Sequence, residues 1–172
     1  VILSWDDLAD KFTREPFLGR VNDFEGYKLY KSTDKYFQDA EIITDNKGAK
    51  ASKAPIFQCD LVDGIFGNAD FGEVGGVEYY LGDDTGISHY FVDTQVQNGR
   101  TYYYAIVAYD YGAPEIGDGI SPTENNITIE LDEAEEILRT GKNVAVVVPG
   151  QTAAGFKDPG VQADMTDTYG NA

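Results

Sequence analysis

Four short segments of this 172-residue chain set Asp or Asn beside Gly: "TDNKG" (44–48), "CDLVDG" (59–64), "LGDDTG" (81–86) and "YDYGAPEIGDG" (109–119). Carboxylates and carbonyls on sharply bent backbone are the donors that Ca²⁺ gathers, six to eight at a time. The best-placed candidates are Asp60, Asp63, Asp83 and Asp84. The same residue types also make ordinary turns, because Asp and Asn bond to their own backbone and Gly accepts positive φ. No segment has the D-x-[DN]-x-[DN]-G spacing of a self-contained calcium loop. Turn chemistry and calcium therefore remain two readings of one set of residues.

Covalent chemistry has less to work with. His89 is the only histidine and Cys59 the only cysteine. His89 sits in "ISHYFVDT", where alternation makes it one side chain on a strand face, and Cys59 reads as a small buried hydrophobe. No Ser–His–Asp or Cys–His set is indicated. Thirty Asp and Glu make a chance pair of carboxylates easy, so glycosidic chemistry gains no support from their number. The chain reads as a non-enzyme. Asn126, in "NIT", is a formal N-glycosylation acceptor.

Those thirty acids face thirteen Lys and Arg, a formal charge of −17. Such a chain is repelled by nucleic acid and by anionic membrane, and neither is expected as a partner. No apolar run approaches the roughly 20 residues that cross a bilayer. A single cysteine forbids an internal disulfide. The chain begins without Met and without a signal peptide, as a mature product or a fragment would.

Twelve Tyr, nine Phe and nineteen Gly with a single Met make an all-β composition rich in turns. "VILSWD" reads as a strand with Val1, Leu3 and Trp5 on one face and Ile2 and Ser4 on the other. One helical turn is expected before Pro16. "GYKLYKS" (26–32) alternates, with Tyr27, Leu29 and Lys31 opposed to Lys28 and Tyr30. Within the long segment 33–87, "AEIIT" and "APIFQCD" are strand-like and "DNKG" is a turn. Residues 77–94 read as a hairpin turning at Asp83, Asp84 and Thr85, with Gly86 in a left-handed position. "NGRTYYYAIVAYD" (98–110) is the strongest strand, and "NNITIEL" (125–131) another. "LDEAEEILRTGK" predicts a short helix capped by Asp132 and ended by Gly141. "KNVAVVVPG" (142–150) adds one more apolar strand. Tyr80 and Tyr103 are the tyrosines expected to point outward, where they could contact sugar or protein.

At "VILSWD", "GYKLYKS" and "NGRTYYYAIVAYD" the chain resembles a fibronectin type III domain, and more closely the type III-like domains of bacterial surface and secreted proteins. Trp5 matches the strand-B tryptophan, Tyr27 and Leu29 match strand C, and Tyr102, Tyr104, Ile106 and Ala108 match strand F. The resemblance implies an antiparallel β-sandwich over residues 1–131, with a long insertion between strands C and E. It implies that Tyr102 is a corner tyrosine whose hydroxyl bonds to the preceding loop. Residues 132–172 would form a C-terminal extension of helix, extra strand and polar tail.

On that reading the first residues already form strand B, so strand A is missing and one edge lies open. A spare strand waits at the other end. It could fold back, or it could enter a neighbour's groove as a donor strand. Val144, Val146 and Val148 are the expected contact residues. The second arrangement joins copies head to tail into a filament or surface layer outside the cell. The alternative role is an adhesion or carbohydrate-binding accessory module of a larger secreted protein, with glycan as its partner.

Overall fold

In the computed structural model, residues 1–15, 19, 21–40, 42–44, 50–74, 77–151, 154 and 155 are described. The expected turn at 45–48 and the tail from 156 lie outside them. The described residues form antiparallel sheets with one short helix, a β-sandwich-like all-β architecture.

The central element is a pair of nine-residue strands, β2 (Phe24–Ser32) and β9 (Tyr102–Asp110). They run antiparallel from Phe24 opposite Asp110 to Ser32 opposite Tyr103. β5 (Phe57–Asp60) pairs with the outer edge of β2, and β12 (Val144–Val147) with that of β9, giving the order β12-β9-β2-β5. Period-two alternation sends side chains to both faces of this sheet, and both faces are covered.

On one face Tyr27, Leu29, Tyr102 and Tyr104 pack under a second sheet of β1 (Ile2–Ser4) and β8 (Tyr90–Val92). Val1, Leu3, Trp5 and Phe91 fill the space between, while Ile2 and Ser4 are exposed, as the alternation of "VILSWD" predicts. The helix α1 (Leu8–Phe12) follows β1 and ends short of Pro16. On the other face Tyr30, Ala105, Val107 and Val144 are buried with Phe37, and Ile127 and Ile129 pack against them. Tyr109 is buried with Ala69 and Leu81. Within the long connection β3 (Ile42–Thr44) pairs with β4 (Lys50–Lys53) and β6 (Gly67–Val74) with β7 (Val77–Gly82), whose Leu81 packs against Tyr109 of the main sheet. Each fully buried Leu, Val or Phe contributes about 1.5–3 kcal/mol.

A strand covered on both faces must hold its polar residues too. Lys28 is buried with its Nζ 3.6 Å from the Tyr79 ring centre and 4.7 Å from that of Tyr109. Burial pulls its pKa down to about 8. Lys31 pairs with Asp93 at 2.6 Å, and Asp93 accepts the Tyr104 hydroxyl at 2.7 Å.

Three expectations are corrected. Residues 77–94 are not a hairpin: β7 pairs with β6, β8 with β1, and 83–89 cross between sheets. Gly86 does take positive φ (+85°), but Asp60 holds the backbone of Asp84 and Thr85 against β5 and prevents a tight reversal. Residues 132–140 are not a helix. β10 (Ile129–Leu131) and β11 (Ile137–Thr140) form a hairpin, so the expected border at 131/132 falls in its turn. Asp132 Oδ1 accepts the N–H groups of Ala134 and Glu136, Glu135 takes φ +61°, and Arg139 pairs with Glu130 at 2.6 Å. The segment is exposed from Asp132 to Arg139, and a short helix with no face to bury gains little from packing. Finally, the strand in 142–150 is not spare: it completes the main sheet, and of the three valines only Val144 is buried.

Gly26 lies where β2 comes closest to β5. A Cβ there would stand 2.3 Å from the Cys59 carbonyl oxygen and 2.7 Å from the Tyr109 hydroxyl. Gly26→Ala is expected to destabilise the fold by about 1–3 kcal/mol. The urea midpoint should fall with little change in slope; an unchanged midpoint would contradict this packing.

Candidate functional site

Asp60, at the end of β5, is fully buried. Its Oδ1 accepts from the Thr85 amide (2.9 Å) and hydroxyl (2.5 Å), and its Oδ2 from the Asp84 amide (2.6 Å). Asp84, at φ +55°, in turn accepts the amides of Asp63 and Gly64 on Oδ1. The structure thus brings together three of the four predicted ligands, Asp60, Asp63 and Asp84. It turns the fourth away: Asp83 is exposed and bonds to the Tyr80 hydroxyl. Among the described residues, no three carboxylate, imidazole or thiolate groups already converge at metal-liganding distance.

Glu25 was not legible as a partner of these aspartates. It occupies a β-bulge, the extra residue where Phe24 lies opposite Asp110 and Gly26 opposite Tyr109. It is fully buried, and neither carboxylate oxygen has a hydrogen-bond partner among the described residues. Burial raises its pKa to about 8, with further contributions from the charges of Asp63, Asp60 and Asp84.

A second feature lies on one side of the sandwich. Val1 and Trp5 make backbone bonds to Asp93 and His89, at 2.8 and 3.0 Å. Bonded pairs alternate along an antiparallel ladder, so Ile2 and Ser4 turn their N–H and C=O groups to the other edge. No described strand pairs there. A groove of about 520 Å³ runs alongside, lined by Leu3, Trp5, Tyr27, Leu29, Tyr104 and Ile106, with Lys142 to Ala145 at the start of β12. β12 is itself the margin of the main sheet, and Val146 and Val148 are 41% and 58% exposed on it.

The remaining candidates are separate. Gln97 N–H donates to the Tyr102 hydroxyl at 2.9 Å, the loop anchor the resemblance implies. Tyr80 is exposed, but Tyr103 packs half-buried against the Tyr30 cluster, and no ring contact joins two exposed tyrosines among the described residues. Asn126 is exposed in an irregular segment before β10, not in a strand. His89 Nε2 stands 3.2 Å from Asp10 without hydrogen-bond alignment, and its ring meets the edge of Tyr27. Cys59 is buried, which raises its thiol pKa and leaves it inert. No helix among the described residues is long and apolar enough to cross a membrane. No protein-family model, curated protein or solved structure matches this chain.

The Glu25 carboxyl has an ordinary pKa of 4.5 when unfolded and about 8 when folded, so between these values the folded state holds the extra proton. Its contribution to stability is complete below about pH 4.5 and is lost as pH rises toward 8. In chelator, the melting temperature is expected to fall from pH 5 to pH 8, and Glu25→Gln to flatten that fall. A wild-type melting temperature that rises across this window would mean that the folded protein holds Glu25 ionised.

Proposed function

We propose that this chain is a non-enzymatic structural subunit on a fibronectin type III-like sandwich, working outside the cell as one copy among many in a filament or surface layer. The type III-like reading is supported by the order of the strands: β2, β9 and β12 lie side by side as strands C, F and G do, with β1 and β8 in the facing sheet. The subunit role rests on one observation, that β1 and β12, unpaired on their outer edges among the described residues, lie beside one apolar groove.

The occupant of that margin is a second copy of this chain. β1 offers free backbone groups and a groove, and β12 offers a free edge with exposed Val146 and Val148. Pairing β12 of one copy with β1 of the next is heterologous and propagates. Here β12 contributes its outer edge and keeps its place beside β9, so the sandwich that donates the contact stays intact. The charge of −17 opposes association, and salt screens it.

Assembly should therefore strengthen as ionic strength rises. Ser4→Pro removes an outward N–H and leaves the β8 ladder bonded; Val146→Lys charges the other margin. Both variants are expected to keep the wild-type melting temperature and to lose the large species that light scattering and sedimentation detect in the wild type. Wild-type protein that stays monomeric at high salt and high micromolar concentration sinks the proposal, as does undiminished assembly of both variants.

A further inference from the structure

The helix α1 is five residues long, buries none of them fully and has no side-chain cap. A helix that short does not hold itself together in water. Asp10 ties it to the fold. Its Oδ1 accepts the Tyr27 hydroxyl at 3.2 Å, its carbonyl accepts Asn22 Nδ2 at 3.0 Å, and its Oδ2 lies 3.2 Å from His89 Nε2. Asp10 thereby joins α1 to β2 and to the 83–89 crossover. Ala9 and Trp5 both pack on the cluster of Phe24, Tyr27 and Cys59, and Leu8 and Ala9 form part of the groove wall beside Trp5. Leu8 and Phe12 are already exposed, so a loosened α1 uncovers little further apolar surface.

His89 is the tie that depends on a proton. As a neutral ring, its Nε2 is buried without an aligned hydrogen-bond partner among the described residues. As an imidazolium it faces a carboxylate at 3.2 Å, and Coulomb attraction needs no alignment. The other titratable groups at this contact are Asp10 and Asp7, with Lys11 paired to Asp7, Asp6 just before the helix, Tyr27 from β2 and Cys59 from β5. Burial raises the Tyr27 hydroxyl and the Cys59 thiol, so both stay neutral around neutral pH. Carboxylates and lysine amines ordinarily titrate outside the range between pH 5 and pH 8, and imidazole inside it.

We propose that His89 and Asp10 form a proton-operated latch that fastens α1 against the groove. The docked helix gives the imidazolium a carboxylate that the loosened helix does not. Acid therefore favours docking, and the tie is lost as pH rises through the imidazole range. Trp5 Nε1 adds a drive toward opening: it is buried without an acceptor among the described residues, and water admitted beneath α1 satisfies it. The groove is closed down in acid and more accessible above neutral pH. The latch works within a single copy and stands whether or not copies assemble at this margin.

Trp5 is the only tryptophan, so acrylamide quenching of its fluorescence reads access to the groove. The full chain is measured at low salt and low concentration, where sedimentation shows single copies. Wild type is expected to quench roughly twofold more readily at pH 8 than at pH 5. His89→Gln and Asp10→Asn, each checked for folding by circular dichroism, should quench at both pH values as the wild type does at pH 8. His89→Lys keeps a cation opposite Asp10 and should stay protected at both. Glu25 is present in every one of these proteins, so its own titration does not distinguish them. A wild type quenched equally at pH 5 and pH 8 overturns the latch. A full rise in His89→Gln also overturns it, because the pH response then belongs to another group. Neither result bears on assembly at the β1 margin, which is read by sedimentation at high salt.

Discussion

The pairing of β2 with β9 is the constraint on which the rest of this molecule depends. Eight residues of β2 find partners on β9, and the ladder carries the main sheet between two covering layers. A strand in that position has no solvent face. Its apolar residues supply the core, and each of its polar residues must be met from elsewhere in the fold. Lys28 meets the rings of Tyr79 and Tyr109, Lys31 meets Asp93, and Tyr30 donates to Glu124. Glu25 is the residue of β2 whose carboxylate meets no such group among the described residues.

That exception sits where the ladder is irregular. The bulge at Glu25 and the close approach of Gly26 to Cys59 lie within two consecutive residues. Without a side chain at 26, β5 comes in close, and Asp60, opposite Gly26, is fully buried. Asp60 then captures the 84–85 backbone, and this diverts the chain from β7 across to β8.

The two sheets are unequal. Four strands face two, so the smaller sheet cannot cover the whole of the larger one. The uncovered strip is the groove beside β1. The long connections enclose the opposite face, where Phe37, Leu81 and Ile129 pack on the main sheet, and leave this margin alone. Apolar surface and free backbone at one margin are a liability in an isolated molecule and an asset in an assembly. The high negative charge opposes indiscriminate contact there.

Strand content was legible because it is written in period-two alternation: β1, β2 and β9 are where "VILSWD", "GYKLYKS" and "TYYYAIVAYD" place them. The acidic segments were legible as breaks between strands but not as hairpin turns, since Asp60 holds the 84–85 backbone in a crossover. Pairing was not, because hydrogen-bond partners are chosen across the fold. The apparent hairpin at 77–94 separated into two sheets, and the apparent helix at 132–140 opened into a hairpin once it had no face to bury. Glu25 reads in sequence as one more solvated acid among thirty; only a bulge in a doubly covered strand makes it buried and unpartnered. Sequence by itself determined the long alternating strands β1, β2 and β9, because period-two alternation is local. The tertiary structure alone decided which edges stayed free and which charges met, because burial and distance belong to the packed whole.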